Sequence, residues 1–304
     1  MKYMYDVTII GSGPAGMAAA IYAKRAMLDT LVVDKTSISG GQILNTYEVD
    51  NYPGLPEMTG MDLAQKFKDH AVKLGAEFAR NTIKSIEDKG DYKILHGKKG
   101  DIETKTVILA MGASNRRLGV AGEDELVGMG VSYCATCDGA FYKDKDVVVV
   151  GGGDVALEDA IYLARGCNKV YLIHRRNEFR GAKVLEDQAR NTSNIEMVLE
   201  SVVDKINGGE AGVESVDVSN VSTGEKTTLK VQGAFIAVGT IPQTDKIEGL
   251  PEMDERGYII AGEDGVTSIP GIFVAGDCRT KQLRQVVTAA SDGANAVISA
   301  EKCL

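Results

Sequence analysis

Three observations predict an α/β protein of two similar units, the second inserted in the first, for this 304-residue sequence. The segment Tyr5–Arg25, YDVTIIGSGPAGMAAAIYAKR, is matched residue for residue in pattern by Lys145–Arg165, KDVVVVGGGDVALEDAIYLAR, which is the signature of an internal repeat. Each copy ends in a similar apolar strand and glycine, TVILAMGAS at 106–114 and AFIAVGTIP at 234–242. Of the roughly sixty residues after the second closure, the final segment from Gly271 is too short to bury a core of its own, since domains below about 40 residues rarely stand without staples. The tail must therefore return to the first unit, giving one unit of 1–113 with 243–304 and an inserted unit of 114–242.

Each copy opens with a β-branched run, the mark of a buried strand, and continues into apolar residues at helical spacing. Between them lies Gly-x-Gly-x-x-Gly in the first copy (Gly11, Ser12, Gly13, Pro14, Ala15, Gly16) and Gly-x-Gly-x-x-Ala in the second (Gly151, Gly153, Asp154, Ala156). That strand, turn and helix context is what a dinucleotide fingerprint requires. The first glycine makes the turn, the second lets backbone approach a pyrophosphate, and the third position admits close helix packing. The pyrophosphate then meets the free N–H groups and positive dipole end of the helix. A single glycine run is often only a turn; two aligned copies make two Rossmann-like dinucleotide-binding units the better reading.

The copies differ at the residue that reads the ribose. In the first, DTLVVDK places Asp34 18 residues beyond Gly16, followed by Lys35, and a carboxylate there accepts from a ribose diol. In the second, HRRNEFR places His174 18 residues beyond Ala156, with Arg175, Arg176 and Arg180 after it. Guanidinium forks match phosphate oxygens, so this exchange selects a 2′-phosphate. The first unit reads as an FAD site and the second as an NADPH site.

The tail, GIFVAGDCRTKQLRQVVTAASDGANAVISAEKCL, gives a strand, a Gly-Asp turn and a helix. Asp277, at the strand end, suits a ribityl hydroxyl, and the helix N-terminus suits negative charge on a reduced flavin.

The remaining composition narrows the class. A formal net charge of -9, with basic residues scattered apart from the one cluster, argues against a nucleic-acid partner. The first residues enter an apolar strand at once without a leader-type segment, and no run reaches the ~18 apolar residues of a membrane span, so the expected location is cytoplasmic.

Five cysteines are too few and odd for a secreted disulfide framework. Two of them form the close pair CATCD, Cys134 and Cys137, with Asp138 behind. Zinc is disfavoured, because only His70, His96 and His174 exist and Cys167, Cys278 and Cys303 form no second pair. A dithiol cycling with a disulfide, with Asp138 moving a proton, suits the spacing, and two packing thiols remain the alternative.

The ordered set GSGPAG, GGQ at 40–42, CATCD, GGGD, HRR with FR, and GD followed by RQ resembles, end to end, the low-molecular-weight bacterial-type NADPH thioredoxin reductase family. The resemblance implies a homodimeric FAD enzyme passing reducing equivalents from NADPH through flavin and the Cys134/Cys137 pair to a thioredoxin-like protein. By it, Cys137 accepts electrons from the flavin, Cys134 attacks the thioredoxin disulfide, and Asp138 protonates the departing thiolate. It places Gly41, Gln42, Asn51, Gly112, Asp277, Arg284 and Gln285 at the flavin. It also implies a rotation of the inserted unit that brings dithiol and nicotinamide to the flavin alternately, with hinges near Gly112–Asn115 and Gly239–Thr244.

Departures from the family pattern are few. Val155 stands where serine is usual, which removes a hydroxyl worth roughly 0.5 to 1.5 kcal/mol of hydrogen bonding and weakens NADPH binding without abolishing it. Asp159 and Asp34 each replace a common glutamate, and Cys278 beside Asp277 is unusual. A same-fold reductase that takes electrons from reduced ferredoxin is the alternative, and HRRNEFR counts against it. A nucleotide-sensing module would leave CATCD without a use.

Overall fold

The computed structural model describes residues 3–46 and 49–304, and these divide into two compact units, Met1–Ser114 with Ile241–Leu304 and Asn115–Thr240. The first unit is built on a sheet in which Met4–Ile10 pairs in parallel with Thr30–Asp34 on one side and Ile102–Leu109 on the other. Thr30–Asp34 pairs in turn with Glu77–Arg80. The strand Ile102–Leu109 is divided between partners. Its N-terminal end pairs antiparallel with Lys93–Gly97, and its C-terminal end pairs parallel with Ile272–Val274 from the tail. Val7, Ile9 and Ile108 are buried on the face covered by the helices Pro14–Arg25 and Val286–Glu301, whose alanines allow close packing.

Why the tail belongs here is visible in its residues. Ile272, Phe273 and Val274 are all buried, and fully apolar strands of this kind need cover on both faces. The last helix then lies on the first, where Gly293 is required: a Cβ would stand 2.1 Å from Ala15 O.

The inserted unit repeats the plan. Its parallel sheet runs Ile195–Val198, Lys169–Ile173, Asp146–Gly151, Gly233–Ala237 and Val131–Ser132. The helix Asp154–Leu163 buries Ala156, Leu157 and Ala160 against it. An antiparallel ribbon of Ser201–Gly209, Gly212–Asn220 and Lys226–Lys230 follows, which the repeat pattern does not announce. The two crossing segments, Ala113–Asn115 and Thr240–Pro242, pair as a short two-stranded ribbon. Among the described residues no helix is long and apolar enough to cross a membrane.

Candidate cofactor and disulfide sites

In the first unit the chain turns sharply at Gly11, whose φ of 109° and contact with Ala110 exclude a side chain. Gly16 is equally constrained, since its Cβ would stand 1.9 Å from Gly11 O as the helix crosses the strand. Gly13 differs: a Cβ there would meet no protein atom closer than 3.9 Å, and at Gly153 none within 4 Å. Packing therefore gives no reason for glycine at either second position, and close approach of a ligand to the backbone does. Gly13 and Gly153 are also the N-caps of their helices, with no side-chain cap on the first-turn N–H groups, which fits a pyrophosphate in both units.

Other predicted residues gather around the first turn. The Gly40 amide donates to Ser12 O at 2.8 Å, and Gly41 lies with its Cβ position 3.3 Å from the Gly13 Cα. Gln42 donates through Nε2 to Ala113 O, beside Gly112. Asn51 Nδ2 donates to Gln285 Oε1 at 3.0 Å, joining the loop to the cap of the last helix. Asp277 Oδ1 is buried without a hydrogen-bond partner, and burial raises the carboxyl pKa above its ordinary value against the pull of Lys281 and Arg284. Arg284 stacks over the Tyr258 ring at 4.3 Å and keeps a buried, unpartnered Nε. Buried polar groups without partners are uncommon, so two on the same tail fit a polar ligand that completes them.

Asp34 is less open than its spacing suggests. Its Oδ2 accepts from Ser12 N at 2.8 Å and Ser12 Oγ at 2.7 Å, and its Oδ1 accepts from Thr36 N at 2.9 Å and Thr36 Oγ1 at 3.0 Å. Three of these donors are undivided, while the single Thr36 hydroxyl proton also faces Ile38 O at 2.9 Å, so a ribose diol can bind Asp34 where that hydroxyl turns away. Lys35 Nζ reaches Gln243 Oε1 at 3.5 Å.

In the inserted unit the segment after Ile173 folds back on the glycine turn. Arg180 N donates to Gly152 O at 2.8 Å, and Ala182 N donates to Asp154 Oδ1 at 2.7 Å. Arg175, Arg176 and Arg180 are exposed, with their forks available to a ligand. His174 behaves otherwise. Its ring is buried, stacks on Phe179 with centroids 5.1 Å apart, and fills the space beside Gly152. Burial, aided by the three arginines, holds its pKa below the ordinary value, so at neutral pH it supports the turn rather than adding a fourth cation. Val155 is 57% exposed at the start of the helix.

The cysteine pair sits beyond the C-terminal end of Val131–Ser132, with Cys134 as the N-cap of the single helical turn Ala135–Asp138 and Cys137 within it. Cys134 and Cys137 are joined as a disulfide with Cα atoms 5.3 Å apart. Burial raises the Asp138 pKa, opposed by a hydrogen bond from Ser132 Oγ to Asp138 Oδ2 at 2.5 Å. The same Ser132 Oγ accepts from Cys134 N at 3.1 Å, which ties the acid to the disulfide backbone. Ser132 was not expected from the sequence; its position six residues before the acid carries no motif. Cys278 is fully buried, donates weakly to Leu109 O at 3.5 Å, and has its pKa pushed up to about 11 by burial, as suits an inert packing thiol.

Comparison with known proteins agrees with this geometry. Residues 5–293 match the family described as pyridine nucleotide-disulphide oxidoreductase. A thioredoxin reductase of Listeria innocua is 44% identical over 98% of this chain and 93% of its own. One of Bacillus subtilis is 43% identical over 98% and 94% respectively. The crystal structure of thioredoxin reductase from Streptococcus pyogenes superposes with a TM-score of 0.94 at 44% identity, covering 100% of this chain and 99% of that one. With two glycine-turn units, a disulfide backed by a half-buried acid, and likeness across nearly the whole length, this chain belongs to the pyridine nucleotide-disulphide oxidoreductase family, among its thioredoxin reductases.

Proposed function

We propose that the protein is an FAD-dependent, NADPH-specific disulfide reductase that delivers two electrons to a thioredoxin-like protein. The observation that carries this reading is the Cys134–Cys137 disulfide with the half-buried Asp138 behind it in a unit that also bears an arginine-lined glycine turn. The first unit, with Gly13, Asp277, Arg284 and Gln285, is assigned to FAD, and the inserted unit, with Gly153, Arg175, Arg176 and Arg180, to NADPH. Bound FAD supplies two-electron transfer between a reduced nicotinamide and a disulfide.

The residues of the chain do the rest. The arginines hold the 2′-phosphate and reject a cofactor without it. Reduction converts the Cys134–Cys137 disulfide to a dithiol with the uptake of two electrons and two protons, and Cys134 gives up its proton to become the attacking thiolate. The Cys134 thiolate then attacks one sulfur of the partner's disulfide, forming a mixed disulfide and expelling a thiolate. Asp138, whose pKa burial raises above the ordinary carboxyl value, is assigned to supply the proton to that leaving sulfur. Cys137 resolves the mixed disulfide, which restores the Cys134–Cys137 bond and releases the partner as a dithiol. A cytoplasmic homodimer is part of the same reading.

Anaerobic rapid mixing of the purified yellow protein with NADPH, and separately with NADH, tests it. Bleaching of oxidised-flavin absorbance is expected to be fast with NADPH and slow with NADH, followed by reduction of added thioredoxin. Failure with both nicotinamides would overturn the donor assignment.

A further inference from the structure

We propose that Asp292 is a positioning residue for the flavin: its carboxylate clamps the Gly276–Asp277 turn, and with Arg279 and Lys281 it sets the charge presented there. The proposal rests on the assignment of Asp277 to the flavin. Asp292 lies in the helix Val286–Glu301 and is buried, yet it gathers four donors. Its Oδ2 accepts from Gly276 N at 2.9 Å, Arg279 Nε at 2.9 Å and Lys281 Nζ at 2.8 Å, and its Oδ1 accepts from Arg279 Nη2 at 2.7 Å. Burial alone would raise its pKa, but the Arg279 and Lys281 hydrogen bonds outweigh that and hold the carboxyl below its ordinary value.

Two features separate this cluster from a plain structural ion pair. First, it is unbalanced. One carboxylate faces two cations whose side chains are only 8% and 6% exposed, leaving a net positive charge inside the unit. A buried pair is a poor source of stability compared with apolar packing, and a second buried cation is poorer still. Second, the excess charge has a neighbour that feels it. Lys281 and Arg284 favour ionised Asp277 and Asp292 opposes it, so the carboxylate with the unpartnered Oδ1 lies within the field of the cluster.

The clamp also fixes where that carboxylate stands. Gly276, with φ of 79°, would bring a Cβ within 2.8 Å of the Ala15 Cβ. The residue after Asp292, Gly293, packs on Ala15 O. Asp292 thus locks the Gly-Asp turn to the start of the first helix, where the pyrophosphate is assigned.

The test compares Asp292→Asn and Lys281→Met as holoproteins. Removing the anion leaves the cations uncompensated, so D292N should favour the reduced flavin. Removing one cation should do the reverse in K281M. Each change is expected to be about tenfold in the two-electron reduction equilibrium, or ~30 mV in midpoint potential, upward for D292N and downward for K281M. FAD affinity, read by flavin fluorescence on dilution, should fall at least tenfold in D292N, while NADPH affinity stays unchanged. Potentials that move in the same direction in both variants, or in neither, overturn the proposal, because a merely structural role has no sign. Should D292N not fold, the downward move of K281M decides alone. A colourless wild type overturns the FAD assignment and this inference together; a yellow wild type with unmoved variants overturns this inference only.

Discussion

Ser132 Oγ stands between Asp138 and the disulfide, donating to the Asp138 carboxylate at 2.5 Å and accepting from the Cys134 amide at 3.1 Å. Since the bond favours the ionised carboxylate, Ser132→Ala should raise the Asp138 pKa and carry the alkaline limb of the kcat profile to higher pH. Asp138→Asn should remove that limb and lower kcat by roughly 10²- to 10⁴-fold, the usual worth of a positioned general acid. Steady-state rates across pH 5.5–9 on the three proteins check both, and an unmoved limb in D138N would remove Asp138 from the role of acid.

The arginines should act on one cofactor only. Arg175→Ala, Arg176→Ala and Arg180→Ala each remove a charge-assisted contact worth about 1.5 to 3 kcal/mol, so NADPH KM should rise roughly 10- to 100-fold per residue. NADH KM should stay level. His174→Ala should instead raise both KM values together, because its buried ring supports the turn that holds either cofactor. Equal losses for NADPH and NADH in all three arginine variants would reject the phosphate assignment.

Glycine substitutions should divide by what surrounds them. Gly13→Ala meets open space, so the folded protein should keep its melting temperature and lose FAD. Gly153→Ala should keep FAD and bind NADPH poorly. Gly16→Ala, whose Cβ would lie 1.9 Å from Gly11 O, should lower the stability itself by several kcal/mol as the helix is forced off the strand. Melting curves and cofactor content measured on the three proteins separate the cases.

Asp159 should make stability depend on pH. Burial, with a smaller push from Glu158, raises its pKa to about 7, so the folded chain binds a proton that the unfolded chain has already lost. The sign follows from proton binding: folded stability falls as pH rises from about 4 toward 7 and stays reduced above it. Asp159→Asn should remove this contribution. Residual solvent access reduces it to ~1 to 2 kcal/mol from the full three-unit conversion. Urea midpoints at pH 5 and pH 8 should lie closer together in the variant than in the wild type.

What the sequence disclosed and what it withheld divide along physical lines. The two glycine turns were legible because strand, turn and helix are neighbours in the chain, and each glycine answers a local steric demand. The return of Ile272–Val274 to the first unit followed from a tail too short to stand alone. Hidden were features that depend on partners chosen at long range. The hydrogen bonds from Ser12 to Asp34, the burial of His174 beside Gly152, and the gathering of Arg279, Lys281 and Asp292 all arise when separate segments meet. The antiparallel ribbon 201–230 carries none of the repeated motifs, although two of its strands run nine residues each.

The strand Ile272–Val274 has a further consequence, for the order in which the molecule is made. It pairs beside Ile102–Leu109, yet about 160 residues are synthesised between the two. A ribosome delivers the whole inserted unit, Asn115–Thr240, before the sheet begun at Met4 can receive its last parallel strand. The unit begun first is therefore the last to be finished, and Asp277 and Arg284 arrive only with that closing strand and the residues just after it. Until then the nascent first unit has its glycine turn but not the tail residues proposed to join it at FAD. On the proposed assignment of Asp277 and Arg284 to FAD, cofactor retention waits on the arrival of the C-terminal segment.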